Sequence, residues 1–300
     1  MAMNAIASLV YNCAASLVSI IQVCLSSSFF IRFKKTDGRK EIFILGNGPS
    51  LQTNLARDID FLKNQTVLCV NGFALSEAYP LLKPAYYLMA DEAFWNYDEL
   101  TEKTKKIVSE VTSSLVEKTT WDVMLFLPVK AKKYPHFITG ILSNQHIRIQ
   151  YFNTTPVKGF TQLCHFLLRH NLGIPSAQNV IIPGLMIAIN LGYEKVYLLG
   201  ADHSWHENYF IDDENRVCLK DVHFYEPAPR FTPLLYKGRP VKLYEQFESL
   251  ARVFRIYHFI QTYARSQNVV IYNASEKSYI DAFERISMEK VKENFSVHLT

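Results

Sequence analysis

Short apolar runs alternate with amphipathic stretches along most of this chain, and many of the apolar runs end in a glycine or a small polar residue. The run Glu41–Leu45 predicts a buried strand, and Ser50 is placed to cap a helix over residues 51–62. Residues 66–70 and 85–89 predict two further strands. Strand, polar turn, helix, strand is the pattern of a parallel sheet.

The rest of the chain continues this alternation. Further strands are predicted over 123–127, 147–151, 195–199 and 269–272, and helices over 99–117, 182–191 and 243–265, with a last helix from Ser278. The pattern predicts an α/β fold with a Rossmann-like, mostly parallel sheet and flanking helices. One main domain covers residues 40–286, with a loop-rich, aromatic-rich lid over 203–240 and a tail over 287–300.

The N-terminal segment, residues 1–35, predicts a hydrophobic helix. Residues 5–31 hold no charged side chain. The length of this stretch exceeds the roughly 20 residues that a helix needs to cross the hydrocarbon core of a membrane. Arg32, Lys34 and Lys35 follow this stretch, whereas a cleaved secretory signal has its positive charges before it. A polar stripe runs down one helical face, at Ser8, Asn12, Ser16, Ser19, Gln22 and Ser26.

Three placements fit such a helix. It can lie in the membrane surface, cross the bilayer and self-associate through its small residues, or dock as a soluble helix on the protein's own core. Basic residues directly after the segment favour a domain on the cytoplasmic face of the inner membrane. We therefore expect contact with the membrane surface through residues 5–31, and a homo-oligomer is compatible with the pattern.

Composition narrows the class of protein. The formal net charge of the 300 residues is +4, with basic residues scattered along the chain, so nucleic acid is not an expected partner. The five cysteines are widely spaced and form no CxxC, which fits neither a disulfide framework nor a zinc site and suggests a reducing compartment.

The turn after the first predicted strand offers a place for a phosphate. Gly46 and Gly48 flank Asn47 and let the backbone turn tightly, while the helix after Ser50 presents free N–H groups. Position 51 is Leu, so the third glycine of the dinucleotide fingerprint is missing, and no GK[ST] is present for a P-loop. A purely structural strand-to-helix turn is the alternative.

Small polar residues recur where predicted strands end. Asn47, Asn71, Asp91 and Asp202 each follow a strand, and ligands of open α/β sheets bind at the carboxyl ends of the strands. Each residue alone could merely cap its helix. Together they favour a binding site.

Three histidines lie in the loop-rich region. His203 and His206 have a spacing that a zinc-binding helix would use, but their flanks are typical of a loop and the spacing fixes no third ligand. A histidine acting as general base is favoured over a metal site, and His223 joins the other two as a candidate. Histidines that only hydrogen-bond within the loop are the alternative. The DxD string Asp58 to Asp60 falls inside a predicted helix, so a metal-and-diphosphate site is not indicated.

Two blocks of the sequence resemble the bacterial CMP-sialic acid sialyltransferases of glycosyltransferase family 42. The first is Ile-Leu-Gly-Asn-Gly-Pro-Ser-Leu at 44–51 with Val70-Asn71, and the second runs from Gly184 to Asp202. The likeness covers about residues 41–285. The glycine turn also occurs in proteins similar to archaeal 6-hydroxymethylpterin pyrophosphokinase (DUF115) and in flagellin-glycosylating accessory factors.

The sialyltransferase resemblance implies a GT-A-like single nucleotide-binding domain. It implies a cytidine nucleotide at the Asn47 turn and Asn71, tyrosines on the phosphate, and a loop histidine that deprotonates the acceptor. Tyr209 fits a phosphate contact by its position. The further nucleotide-binding candidates are Gly184, Asp202, Tyr225, Asn273 and Ser275.

This sequence departs from the family where the catalytic histidine is expected, because residues 237–240 read Lys-Gly-Arg-Pro. His223 lies in the same interval and becomes the predicted base, ahead of His203 and His206, with Asp221 or Glu226 to orient it. Arg230, Lys237 and Arg239 are candidates for the positive charge on the leaving phosphate.

The expected activity is an inverting, metal-independent transfer of sialic acid or another nonulosonic acid from a CMP-activated donor to a surface polysaccharide. No cofactor beyond the donor substrate is expected. One alternative is a pyrophosphokinase on a pterin-like alcohol, which would require ATP and magnesium. The other is a non-catalytic nucleotide-binding assembly protein.

Overall fold

The computed structural model describes residues 2–97, 100–176, 179–221, 230–236 and 238–297. Its helices are α1 (Ala2–Ser26), α2 (Leu51–Leu62), α3 (Ala78–Leu82), α4 (Glu102–Lys118), α5 (Pro135–Leu142), α6 (Thr161–Arg169), α7 (Ile181–Asn190), α8 (Leu243–Ser266) and α9 (Met288–Val297). The strands are β1 (Glu41–Leu45), β2 (Val67–Val70), β3 (Tyr86–Leu88), β4 (Val123–Pro128), β5 (Ile147–Phe152), β6 (Lys195–Leu199), β7 (Tyr209–Ile211), β8 (Val217–Asp221), β9 (Arg230–Pro233), β10 (Leu235–Tyr236), β11 (Arg239–Pro240), β12 (Val270–Asn273) and β13 (Glu284–Arg285).

Eight strands form one sheet in the order β13-β12-β6-β1-β2-β3-β4-β5. Every neighbouring pair in it is parallel. The chain first extends the sheet from β1 to β5 and then returns to place β6 on the other side of β1. The predicted α/β, Rossmann-like fold is therefore confirmed, and the strand order reverses between β1 and β6, where such sheets bind ligands.

Helices cover both faces of the sheet. Ile42 and Ile44 of β1 point into a core shared with α6, α7 and α8, whereas Phe43 and Leu45 point into a core shared with α2, α3, α4, α5 and α9. Because both faces are buried, the central strands β1, β2 and β6 are nearly continuous apolar runs rather than alternating ones. The turn after β1 thus lies between two rigid layers.

Several elements differ from the sequence prediction. The helices α5 and α6 were not predicted, and the last helix begins at Met288 rather than Ser278, with β13 between them. Ser50 does not cap α2, because its side chain makes no hydrogen bond to the helix N–H groups. The predicted loop over 203–240 contains two small antiparallel sheets, β7-β8-β9 and β10-β11. The predicted tail contains α9, whose Met288 and Val291 are buried in the core.

Helix α1 lies on the domain with its small residues inward. Ser16 and Ser19 are buried, and Val23 joins the core beneath α6 and α7. By length and composition, the 22 residues Ala5–Ser26 could also cross a membrane. The predicted polar stripe therefore has partners within the protein at its central serines.

Candidate functional site

A cleft of about 220 Å³ lies at the carboxyl ends of β1, β2 and β6, at the point where the strand order reverses. Ligands of open α/β sheets bind at such a point. The described residues that line it are Asn47, Gly48, Pro49, Asn71, Asn179, Val180, Ile181, Gly200, Asp202, His203, Ser204, Trp205, Asn208 and Lys220. The structure therefore brings together the strand-end residues Asn47, Asn71 and Asp202, as the sequence pattern predicted.

Glycines from two turns form the floor of the cleft. The Gly46 N–H donates to the Leu199 carbonyl at 2.8 Å, and the Gly48 N–H donates to the Gly200 carbonyl at 2.9 Å. A Cβ on Gly46 would lie 2.4 Å from the Gly200 oxygen, and a Cβ on Gly48 would lie 2.4 Å from an Asp202 carboxylate oxygen. Gly200 itself has a φ of +63°. Any side chain at these positions would push the two turns apart.

The side chain of Asn47 is only half satisfied. Its Nδ2 donates to the Val70 carbonyl at 3.2 Å, while its buried Oδ1 has no hydrogen-bond partner among the described residues. Asn71 has a φ of +44°, and its Oδ1 accepts from the Ala90 N–H at 3.3 Å. Asn71 therefore ties β2 to the end of β3, and Asn47, which lines the cleft, holds a buried acceptor that the described residues leave unpaired.

Asp202 is buried and holds the two turns together. Its carboxylate accepts from the Ser50 N–H at 2.9 Å and from the Ser50 hydroxyl at 2.5 Å. Burial raises the pKa of Asp202, and the two bonds from Ser50 oppose that shift. Ser50 thus acts through Asp202, since its own hydroxyl is already engaged.

A chain of three side chains runs from the cleft into the core. The Tyr257 hydroxyl donates to Asn179 Oδ1 at 3.1 Å, and that oxygen also accepts from the N–H groups of Ile181 and Ile182 at 3.0 and 3.3 Å. Because the tyrosine proton is committed to Asn179, the His203 Nε2–H donates to the Tyr257 oxygen, at 2.5 Å. The neutral His203 ring then keeps Nδ1 as its acceptor nitrogen.

His203 is held in an unusual environment. It has a φ of +54°, it is buried, and its ring lies 4.5 Å from the Trp205 ring. Burial lowers the pKa of His203 to about 3. A group that binds a proton so weakly is a poor general base near neutral pH, but it is a well-fixed neutral hydrogen-bonding group.

Asn179, which also lines the cleft, has an unpaired polar atom too. It caps the start of α7 through Oδ1, while its buried Nδ2 has no hydrogen-bond partner within the described part of the chain. The N-terminus of α7 opens onto the same cleft, with Val180 and Ile181 in its wall. The sequence interpretation missed this residue.

Lys220 is the one Lys or Arg among the described residues that line the cleft. Of the cations expected from the sequence, Arg239 forms an ion pair with Glu245 at 2.7 Å instead. Lys237 and the side chain of Arg230 lie outside the described residues. A strand residue, Lys220, therefore supplies the positive charge in the part of the cleft that the structure describes.

Several predicted site residues lie away from the cleft lining. Asp91 caps a short helical turn by accepting from the Ala93 N–H at 3.0 Å, and Gly184 packs under the sheet, with side-chain atoms of Ile44 and Leu88 as its nearest neighbours. Tyr209 donates to Gln246 at 3.3 Å. His206 stands edge-on to a tyrosine ring at 4.3 Å.

Asn273 and Ser275 brace the cleft from behind. Ser275 Oγ accepts from the Ala201 N–H at 3.0 Å, and Asn273 Nδ2 donates to Ser278 at 2.8 Å. Ser278 in turn donates to the Ala201 carbonyl at 2.6 Å. These residues fix the end of β6 and act on the cleft only through Ala201 and Asp202.

His223 and Tyr225 lie outside the described residues, as does Glu226. No group of three His, Cys, Asp or Glu side chains among the described residues is arranged to hold a metal ion. Asp58 of the DxD string is buried on α2, where it accepts from Lys292 at 2.5 Å, far from the strand ends.

Comparison with known proteins gives a fold and no family. No protein-family model matches the sequence, and no curated protein matches it. Among solved structures, the chain is similar to the MAf glycosyltransferase from Magnetospirillum magneticum AMB-1, with 13% identity and a TM-score of 0.50. The match covers 91% of this chain but only 39% of the larger protein. This chain therefore has the fold of a region of a glycosyltransferase.

Proposed function

We propose that this protein is a glycosyltransferase that takes its sugar from a nucleotide-activated donor bound in the cleft between β1 and β6. The observation that carries the proposal is a pair of buried, unpartnered polar atoms in that cleft, the acceptor Asn47 Oδ1 and the donor Asn179 Nδ2. Each unsatisfied buried group costs about 1–3 kcal/mol, which a ligand with a matching donor and acceptor offsets. The fold shared with a glycosyltransferase supports the same class of activity.

The donor we propose is a CMP-activated sialic acid or another nonulosonic acid. A cytosine edge carries an amino donor beside ring acceptors, which complements an amide oxygen and an amide nitrogen. The positive dipole end of α7, with Val180 in the cleft wall, and the Lys220 ammonium offer positive charge to the single phosphate. Likeness of the Asn47 and Asn71 turns to the sialyltransferases supports this donor, and it also supports a surface polysaccharide as acceptor.

In the proposed reaction, an acceptor hydroxyl oxygen attacks the anomeric carbon while the bond from that carbon to the phosphate oxygen breaks. CMP leaves with the bonding electrons, and the configuration inverts. Lys220 stabilises the charge that builds on the phosphate, so the step needs no metal ion. The hydroxyl proton passes to a general base.

We assign that base to His223. His203 is the histidine among the described residues of the cleft, and its lowered pKa suits it to hold the donor rather than to take a proton. His223 follows the cleft residue Lys220 by three positions in the sequence.

Nucleotide binding is the first test. We expect CMP to raise the melting temperature without magnesium, whereas ATP with magnesium should not. Asn47→Ala should weaken CMP binding about tenfold, because the unpartnered acceptor is removed. The control is Asn64→Ala, since Asn64 lies in the turn before β2, at the opposite end of the sheet. Stabilisation by ATP with magnesium alone would instead support the pyrophosphokinase, and binding of CMP without turnover of any donor would support the assembly protein.

Removal of the cleft cation tests the chemical step. Lys220→Met should lower kcat/KM about a hundredfold or more, since the leaving phosphate loses its positive neighbour. Lys106→Met on the exposed side of α4 is the matched control and should keep full activity. Equal activity of both variants would remove Lys220 from the mechanism.

The assignment of the base is tested by single substitutions. His223→Ala should lower kcat about a hundredfold or more with little change in CMP affinity, because a base acts only on the chemical step. If His223→Ala turns over normally while His203→Ala or His206→Ala is inactive, the base is that residue. Full activity of all three variants would contradict a histidine base.

A further inference from the structure

The inner side of α1 is held to the domain by hydrogen bonds between serine hydroxyls of the helix and the backbone of residues 158–160. Ser19 Oγ donates to the Lys158 carbonyl and accepts from the Lys158 N–H, both at 2.8 Å. Ser16 Oγ accepts from the Phe160 N–H at 3.0 Å. Between them, Gly159 has a φ of +117°, and a Cβ there would lie 2.6 Å from the Ser16 nitrogen. At Gly159 the backbone of the loop therefore lies directly against α1, with no loop side chain between them.

Contacts continue to the end of the helix and beyond it. Ser27 Oγ donates to Thr155 Oγ1 at 2.7 Å and lies 2.6 Å from the Leu172 carbonyl oxygen, and the Ser28 N–H donates to Asn153 Oδ1 at 2.9 Å. The docked part of α1 thus starts at Ser16. Residues 2–15 remain, and at 1.5 Å per residue they span about 21 Å, short of the roughly 30 Å of a hydrocarbon core.

The outer side of α1 is strongly apolar. Large side chains on it and on the turn that follows are exposed, up to 96% for Phe30. These residues are Ile6, Leu9, Val10, Tyr11, Leu17, Val18, Ile20, Ile21, Leu25, Phe29 and Phe30. A contiguous exposed apolar face of this size is typical of a surface that contacts a membrane or another protein.

Two exposed cations lie beside this face. Lys158 is in the loop that bonds to Ser19 near the middle of α1, and Arg32 follows just beyond the end of the helix. The segment that contacts α1, residues 153–172, contains Lys158 and Arg169 and no Asp or Glu. The apolar face is therefore bordered by positive charge at the loop that holds α1.

We propose that α1 lies flat in the surface of an anionic lipid bilayer, with its outer side inserted among the acyl chains and the exposed cations Lys158 and Arg32 against the headgroups. A helix that crossed the membrane would have to leave the Lys158–Phe160 loop or drag its polar backbone into hydrocarbon. A flat helix keeps every one of these contacts. This proposal stands whether or not the proposed glycosyl transfer is correct.

Vesicle flotation of the full-length protein tests the surface. We expect binding to vesicles of three parts phosphatidylcholine to one part phosphatidylglycerol, and much weaker binding to phosphatidylcholine alone. Leu17→Glu should weaken binding on the order of tenfold or more, because a charge replaces an inserted side chain. Leu81→Glu is the matched control, since Leu81 on α3 is exposed to 52% and Leu17 to 60%. Equal binding of both variants would overturn the proposal.

The charge contribution has its own matched pair. Lys158→Gln should weaken binding to the anionic vesicles about fivefold, and added salt should reduce that difference. Lys106→Gln on α4 should bind as the unchanged protein does. A protein that instead dimerises in solution through α1 and ignores both vesicle types would show that a second copy covers this face.

Depth measurement separates a flat helix from a spanning one. Cys13 and Cys24 are the exposed cysteines, and they lie eleven residues apart, three full turns plus about 20° on a 3.6-residue helix. They therefore share one side of α1, about 16 Å apart along its axis. A fluorophore placed at either thiol, with the other changed to serine, should be quenched by nitroxide lipids at equal depth. A depth difference near 16 Å would show a spanning helix and refute the flat placement.

Discussion

Two apolar helices of this protein, α1 and α7, meet opposite environments. In α7, every residue from Ile181 to Ile189 is buried, because the helix lies between the sheet and α8. In α1, Ser16, Ser19 and Val23 are buried, while large apolar side chains face outward. Neither helix carries a charge. Hydrophobicity alone therefore does not tell where a helix lies, because large apolar side chains face the core in α7 and the outside in α1.

The comparison is tested most strongly by truncating one leucine in each helix. Leu185→Ala should lower the free energy of unfolding by about 2–5 kcal/mol, because Leu185 is fully buried and leaves a cavity. Leu17→Ala should change it by less than about 0.5 kcal/mol in the absence of lipid, because Leu17 is 60% exposed. Urea unfolding measures both. Similar losses would mean that α1 belongs to the core.

The stability of the packing at the N-terminal end of α7 should depend on pH through His203. His203 is hydrogen-bonded to Tyr257, and Tyr257 is hydrogen-bonded to Asn179 at the start of α7. The folded pKa of His203 is about 3, against an unfolded value near 6.5, so the unfolded chain binds the proton first. Stability from this group is complete above pH 6.5 and falls by about 1.4 kcal/mol for each pH unit below it, toward pH 3.

The check is urea unfolding between pH 7 and 5 of the unchanged protein and of His203→Gln. The difference between the two should shrink by about 2 kcal/mol over that range. The exposed histidine in His170→Gln serves as control, and its curve should run parallel to that of the unchanged protein. A His203→Gln curve that is also parallel would mean that the buried histidine accepts a proton in the folded state.

One added methyl group at Gly159 should break the contact between α1 and the loop of residues 158–160. Gly159→Ala should cost about 1–3 kcal/mol and loosen α1, because the new Cβ would collide with the Ser16 backbone and the φ of +117° disfavours any side chain. Limited proteolysis should then cut within residues 27–36 in the variant sooner than in the unchanged protein. Unchanged stability and unchanged cutting would show that the helix and loop are not in contact.

Substitution of Gly184 in α7 should have the opposite effect on stability to substitution of Gly159. Gly184→Ala places a Cβ 3.6 Å from Ile44 and Leu88 side-chain atoms, an ordinary contact distance. Alanine favours a helix over glycine by up to about 1 kcal/mol, so the variant should be slightly more stable. Thermal unfolding reads out both glycine variants, and a destabilised Gly184→Ala would mean that α7 packs closer to β1 than the distances indicate.

Much of the fold followed from the sequence because its signals are local. Buried parallel strands are apolar runs that end in glycine or polar turns, and β1, β2 and β6 have this form. The helix α6 was missed because its apolar face is short, and Ser278 was misplaced as a helix start because Asn273 binds it instead. Such pairings depend on residues that meet only after folding.

In the candidate site, too, some residues could be predicted from the sequence and others could not. Asn47, Asn71 and Asp202 were predicted to line it because each lies within three residues of the end of a strand. Asn179 was missed, although an Asn just before an apolar helix is a capping signal. Lys220 could not be found, since a strand outside the main sheet brings it to the cleft. The roles of all these residues in binding and turnover stay predictions.

The glycine floor has a consequence for how this protein could change its substrate. Gly46, Gly48 and Gly200 meet without side chains, so the turns after β1 and β6 touch main chain to main chain. Neither turn can shift without displacing the other, and no substitution there can reshape the floor gradually. Under the proposed function, new donor preferences would therefore arise by exchange of side chains in the walls, at positions such as Asn208 and Lys220, while the floor stays unchanged.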